Sequence, residues 1–292
     1  MTQNVLGVIG GSGLYEMESL ENTNWQSVDT PWGKPSDDIL SGNIGKQKIF
    51  FLPRHGRGHI YSPSDINYRA NIDALKRLGV THILSLSACG SFREDLNPGK
   101  FVIVDQFFDR TISRKKTFFG DGLVAHISFN NPVCSSLADI VVESAQELKL
   151  DHFAGGTYLA IEGPQFSTLE ESIFYKNNNF DVIGMTNMPE AKLAREAEIH
   201  YSTIAMVTDY DCWHASHGTV DVQSIIKVLK QNTENAKNLV KIIAQKISSL
   251  KNCNQQCNKA LDNAIITHKE NWAAKSVSKL DLILARYLKE NE

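Results

Sequence analysis

Short runs of apolar, often β-branched residues alternate along this chain with stretches whose apolar positions recur every three or four residues. Val5–Ile9, Lys48–Leu52, His82–Leu86, Phe101–Val104, Tyr158–Ile161, Asp181–Met185 and Thr203–Val207 read as strands, most of them followed by a polar loop and then an amphipathic stretch. Ser62-Pro63 opens a helix that passes through Ile66–Leu78 and stops at Gly79. Pro189 starts another, in which Ala191, Ala194 and Ala197 recur at helical spacing and allow close packing. Val222, Ile225, Ile226, Leu229, Ala236, Val240, Ile243, Ile247 and Leu250 predict one long amphipathic helix over residues 221–250, with most of the stripe in the core. This alternation predicts an α/β fold: a single-domain, three-layer sandwich with a mixed, mainly parallel central sheet flanked by helices.

Residues 1–250 carry that pattern. From Lys251 to Ile265 the chain is rich in Asn and Gln without a strong period, and Val277, Leu280, Ile283, Leu284, Tyr287 and Leu288 then suggest a last helix. The segment 251–292 is therefore expected to be a linker and a C-terminal helix packing on the same domain. With 292 residues, 42% of them hydrophobic, the chain can bury a large core. A net charge of -3 and scattered Lys and Arg give no basic footprint, so nucleic acid is not an expected partner. No basic region precedes Val5–Ile9 and no apolar run approaches membrane-spanning length, so a membrane is not expected either and the cytoplasm is the expected location. Five cysteines, an odd and scattered number, suggest free thiols. Cys253-x-x-x-Cys257 has no second ligand pair beside it in sequence, and no metal is assigned to it.

The candidate chemistry lies in the loops. Asp209 and Asp211 end the apolar run Thr203–Thr208, and ligands of open α/β sheets sit at the carboxyl ends of such strands. A carboxyl group accepts a hydrogen bond from an exocyclic amine and, if kept protonated by an apolar site, donates one to a ring nitrogen, so the pair could read an adenine. A solvated turn or a helix cap would also use Asp here. Gly10-Gly-Ser-Gly-Leu14 follows the first strand and offers backbone amides and the Ser12 hydroxyl to an anion, although it matches neither dinucleotide nor Walker patterns. Pro53–His59 adds Arg54, whose fork suits a phosphate, and His55, a donor through ring or backbone. Ser85–Ser91 is a third small-residue turn at the same sheet edge, which favours one shared anion pocket over three unrelated turns. Asp211, His214 and His217 stand three residues apart like metal ligands, but a loop over the substrate is the better reading.

Taken together, Val8–Tyr15, Pro53–Arg57, Ser87–Ser91, Asp105–Thr111, Ile161–Ser167, Gly184–Glu190 and Ala205–Trp213 resemble the trimeric purine nucleoside phosphorylase family, in the family's order and across residues 5–250. The resemblance implies reversible phosphorolysis of S-methyl-5′-thioadenosine to adenine and 5-methylthioribose 1-phosphate in purine and methionine salvage. Inorganic phosphate would be a co-substrate, with no metal or organic cofactor. By resemblance, phosphate is held by Ser12, Arg54, His55, Ser87, Ala88 and Thr186, the ribosyl group meets Met185, and the base lies against Phe166 with Asp209 and Asp211 at its edge. Relatives using 6-oxopurines place Asn where this chain has Asp209, which disfavours the alternative of a phosphorylase for purine nucleosides or methylthioinosine. Val222, Ile225 and Ile226, at i, i+3 and i+4, are expected to form an apolar wall for the 5′ substituent. Ser167 and Val222 would tune the accepted nucleoside, and His126 would reach the 5′ region of a neighbouring subunit, which implies a homotrimer. A hydrolytic nucleosidase and a non-catalytic nucleoside-binding module are the competing classes.

Overall fold

The computed structural model describes residues 4–11, 13–214, 222–250 and 253–288. Its strands are β1 (Leu6–Gly10), β2 (Glu21–Gln26), β3 (Ile39–Ile44), β4 (Gln47–Pro53), β5 (His82–Ser91), β6 (Phe101–Val104), β7 (Gln106–Asp109), β8 (His152–Ala154), β9 (Thr157–Ala160), β10 (Val182–Gly184) and β11 (His200–Asp209). The helices are α1 (Tyr68–Arg77), α2 (Ser135–Glu147), α3 (Leu169–Asn177), α4 (Asn187–Glu196), α5 (Val222–Lys246), α6 (Ala274–Lys279) and α7 (Ala285–Leu288).

The central strands are apolar on both faces because each face meets helices. Along β1, Leu6 and Val8 belong to one buried cluster and Ile9 to the other; Ile204 and Met206 of β11 alternate in the same way with Ala205 and Val207. One cluster joins the sheet to α1 and α4, through residues such as Ile72, Leu75, Ala191 and Ala194. The opposite cluster joins it to α2 and α5, through Leu137, Val141, Leu239, Val240 and Ile243. The result is the expected three-layer sandwich around a mixed, mainly parallel sheet.

β5 organises the sheet. Its first half pairs in parallel with β1 on one side and β11 on the other, while its end, Gly90 and Ser91, turns to pair antiparallel with β10. β4 lies parallel to β1 on the far side. The parallel strands β4, β1, β5 and β11 therefore present their carboxyl ends along one edge, and the loops after them share it.

Several boundaries differ from the sequence reading, for local reasons. The first helix begins at Tyr68 and not at Ser62-Pro63, because Asn67 caps it, accepting a hydrogen bond from the Ala70 amide at 3.2 Å. The long helix ends at Lys246 and tightens into a 3-10 turn over Ile247–Ser249. The expected last helix is two short ones, α6 and α7, with Leu280, Ile283 and Leu284 buried between them in the α1–α4 core cluster. The apolar pattern does not reveal β2, β3, β7, β8, α2 and α3. β2, Glu-Asn-Thr-Asn-Trp-Gln, is mostly exposed at the sheet edge and has no apolar run to reveal it. Among the described residues, no helix is long and apolar enough to cross a membrane.

Candidate active site

At the shared strand edge lies a cavity of about 380 Å³. Of the residues singled out from sequence, Arg54, His55, Ser87, Ala88, Phe166, Ser167, Met185, Thr186, Asp209, Asp211 and Ile225 all line it. Ser12 and His217 lie outside the described residues. His126 is exposed and does not line the cavity of its own chain; its amide is bonded to the Ala264 carbonyl at 2.8 Å.

The acid pair is placed by an irregularity in β11. Pairing with β5 shifts between Val207 and Asp209, and Asp211 takes a left-handed backbone with φ 53°. Bulges re-aim side chains, and a non-glycine residue in this region is held there by its surroundings. Asp209 Oδ1 accepts the Asp211 amide at 2.8 Å and Oδ2 accepts the Thr208 hydroxyl at 2.8 Å, which fixes the carboxyl group. Burial raises the pKa of Asp209; the Thr208 hydroxyl and Asp211 amide oppose this, while the charge of Asp211 adds to it. Burial also raises that of Asp211, against the hydroxyls of Ser172 and Ser167. Asp211 Oδ2 and those two hydroxyls are buried without a hydrogen bond of good geometry among the described residues, although they lie close enough to act on one another. Both acids thus line the cavity with their pKa values raised above the ordinary carboxylate value, chiefly by burial.

Gly90, across the sheet from this pair, is needed for its size. A Cβ there would lie 2.9 Å from Asp209 Oδ1 and 3.0 Å from Ile183 Cγ2. Pattern alone does not single out Gly90, Ile183, Met206 or Thr208, all of which line the cavity, because their role depends on cross-strand neighbours.

The cavity lining also includes the hydroxyl residues Ser87 and Thr186 and the Ala88 backbone. Ser87 Oγ hydrogen-bonds Asn187 Oδ1 at 3.1 Å, and Thr186 precedes α4 as its cap residue. Arg54 lies here but is less free than its sequence suggested. Its guanidinium donates to both carboxylate oxygens of Glu190, at 2.8 and 3.1 Å, to Ser85 Oγ at 2.6 Å and to the Leu86 carbonyl at 2.9 Å. With a longer Nη2 bond to the Ile9 carbonyl at 3.4 Å, these occupy Nε, both Nη2 hydrogens and one Nη1 hydrogen, which leaves one Nη1 hydrogen without a protein acceptor among the described residues. Burial works against its charge, and Glu190 more than offsets that, so its pKa stands above the ordinary value. Glu190 in turn accepts from Ser85 and Tyr201, at 2.7 and 2.9 Å, so a buried polar network backs this lining.

His55 is neutral at pH 7. Burial, chiefly, pulls its pKa to about 4, although its bond to the Tyr61 carbonyl favours the charged form. Nδ1 faces that carbonyl at 2.9 Å and therefore carries the proton, which leaves Nε2 an acceptor, and the ring stacks on His59 at 4.1 Å.

The expected apolar wall on α5 is corrected. Ile225 lines the cavity together with Leu229 and Thr233, an i, i+4, i+8 row, whereas Val222 and Ile226 are 59% and 46% exposed and do not line it. Three residues turn a helix through about 300°, so Val222 and Ile226 share a row beside the one that meets the cavity. His214 stacks on Tyr210 at 4.7 Å.

One cavity is thus lined by two acids with raised pKa values, an aromatic ring, hydroxyls and a tethered guanidinium. The chain matches the phosphorylase superfamily over residues 5–245. It belongs to that superfamily. An S-methyl-5′-thioadenosine phosphorylase of Rhodospirillum rubrum is 55% identical over 287 residues, covering 98% of each chain. One of Cereibacter sphaeroides is 53% identical over 288 residues, covering 98% of this chain and 99% of its own. Among solved structures, a methylthioadenosine phosphorylase from an antarctic soil metagenomic library superposes with a TM-score of 0.91 at 44% identity, over 97% of this chain and 100% of its own. A Schistosoma mansoni methylthioadenosine phosphorylase in complex with adenine gives a TM-score of 0.85 at 35% identity, over 89% of this chain and 98% of its own. The superfamily fold thus spans the whole of the site described above.

Proposed function

We propose that this chain is a pentosyltransferase that cleaves S-methyl-5′-thioadenosine with phosphate, releasing adenine and 5-methylthioribose 1-phosphate for purine and methionine salvage. The observation that carries the reading is the acid pair, half-buried Asp209 closing β11 and buried Asp211 just after it, both with raised pKa values and both lining the cavity that Phe166 also lines.

Breaking the bond between C1′ and N9 leaves positive charge on the sugar and negative charge on the purine. Protonated Asp209 donates to N7 as that charge develops, and Asp211 accepts from the exocyclic amine. Phosphate sits across the ribose, held by Ser87, the Ala88 backbone, Thr186, the remaining Arg54 N–H and Ser12. It balances the charge at C1′ and forms the new C–O bond as the C1′–N9 bond breaks. Neutral His55 acts through its backbone amide or accepts a hydrogen bond from a phosphate hydroxyl at Nε2, without taking the proton. Met185 packs on the ribosyl group. Ile225 and Leu229 form the apolar surface for the methylthio group, and Ser167 tunes acceptance beside the base. No organic cofactor takes part in this scheme. The enzyme acts in the cytoplasm as a homotrimer, with residues 1–250 as the phosphorylase domain, 251–292 packed on it, and His126 directed to a neighbouring subunit.

Turnover of methylthioadenosine with and without inorganic phosphate tests the reading. Adenine and methylthioribose 1-phosphate should appear in equal amounts and only with phosphate. Adenine release in phosphate-free buffer would identify a nucleosidase, and tight binding without turnover a binding module.

A further inference from the structure

A second constellation lies at the opposite end of β11. Cys134, His200, Cys253 and Cys257 are all buried, and one ligand atom from each lies within 4.8 Å of all the others. His200 opens β11 and Asp209 closes it, so about 30 Å of strand separates this cluster from the acid pair. It has no part in the cavity chemistry.

Each ligand is set in place by its own local structure. Cys134 is the cap residue of α2, a position where Ser, Thr, Asp or Asn would hydrogen-bond the first turn; its side chain makes no such bond and its amide is held by the Tyr201 carbonyl at 2.8 Å. That leaves Sγ facing His200 Nδ1 at 3.2 Å. His200 is fixed from its other side by stacking on His82 at 4.4 Å. Between the remaining cysteines, Gln256 adopts a left-handed backbone with φ 49°, folding Cys253-x-x-x-Cys257 into a turn in which the Cys257 amide donates to Cys253 Sγ at 3.3 Å. Gln255 reaches from this turn to Ser135, accepting from its hydroxyl at 2.8 Å, so the turn is docked on the start of α2. None of the cysteines is in a disulfide.

We propose that these four side chains form a structural, zinc-class metal site of Cys₃His type. Ligand atoms around tetrahedral zinc with thiolate bonds of about 2.3 Å stand about 3.7 Å apart, so the observed spacing contracts by no more than about 1 Å on binding. Four protein ligands close the coordination sphere, which is the structural and not the catalytic arrangement. Ligation exchanges the three thiol protons for one divalent ion and leaves a net charge of −1, beside the N-terminal end of α2 and within the field of the buried Arg195. The ion would pin the segment after residue 252 to α2 and β11, elements far from it in sequence.

Metal analysis of the full chain, purified under reducing conditions with zinc in the medium and then dialysed, should give one zinc per chain. Replacement by cobalt(II) should produce an intense thiolate charge-transfer band in the near ultraviolet and strong tetrahedral bands in the visible. Cys253→Ser and Cys257→Ser should lose the zinc and lower Tm while leaving the phosphate dependence of turnover as it was. Because loss of a buried cysteine can unfold the chain, the cobalt spectrum of the unaltered protein decides the matter. A fully reduced, folded chain that takes up neither zinc nor cobalt overturns the proposal. So does cobalt bound with no thiolate charge-transfer band.

Discussion

At the scale of single residues, the proposed chemistry rests first on Asp209. Its carboxyl group is fixed by Thr208 and the Asp211 amide, and burial favours its neutral form. An acid with a raised pKa is protonated below that pKa and loses its proton above it, so activity that needs the proton declines as pH rises through it. Asp209→Asn keeps a neutral group of the same size that can donate a hydrogen bond but not surrender a proton. It should lower kcat/KM for methylthioadenosine by about 10²–10⁴-fold, flatten the basic limb of the pH profile, and raise the preference for 6-oxopurine over 6-aminopurine nucleosides. Steady-state kinetics on both substrate classes check this, and an unchanged ratio of efficiencies would refute the role. The acids, Ser87, Ala88 and Thr186 were legible because each follows an apolar run that reads as a strand, although Ser85–Ser91 is not the expected turn: β5 continues through Ser87 and Ala88 to Ser91, and β11 takes in Asp209. The state of Arg54 was not, because Glu190, its partner, is 136 residues away.

At the scale of elements, α4 carries a second buried acid with a measurable consequence. Glu196 accepts from the Phe118 amide and the Thr117 hydroxyl, both at 2.7 Å, yet burial outweighs these bonds and lifts its pKa from 4.5 to about 7. A folded-state pKa above the unfolded one means that the native chain binds more protons between those values. The stabilisation is fully present below pH 4.5 and is lost as pH rises towards 7, amounting to about 3 kcal/mol across the window. Glu196→Gln retains an acceptor for Phe118 and no longer titrates. Denaturation curves at several pH values should therefore show the variant gaining on the unaltered protein from pH 4.5 to 7; parallel profiles would exclude the effect. Helices were read well where a stripe was long, as in α5, and poorly in rotation, since only the position of the sheet edge shows that Ile225 and Leu229, and not Val222 and Ile226, meet the cavity.

At the scale of the whole molecule, the exposed His126 lies outside its own cavity, on a segment held against Ala264. If it completes a neighbour's site, sedimentation should show a trimer, and His126→Ala should raise KM for methylthioadenosine with a smaller change in KM for phosphate. A monomer with full activity would contradict that. The sequence by itself determined the layered α/β architecture and the loops that bear the chemistry, because apolar runs buried on both faces and glycine- or acid-bearing turns are local signals. Only the tertiary structure decided how those signals meet. It bends the end of β5 toward β10 so that Gly90 leaves room for Asp209, ties Arg54 to Glu190, and gathers Cys134 and His200 around a cysteine pair that looked solitary in the chain. The physical reason is the same in each case: burial and pairing depend on neighbours supplied by distant segments, which no window of sequence contains.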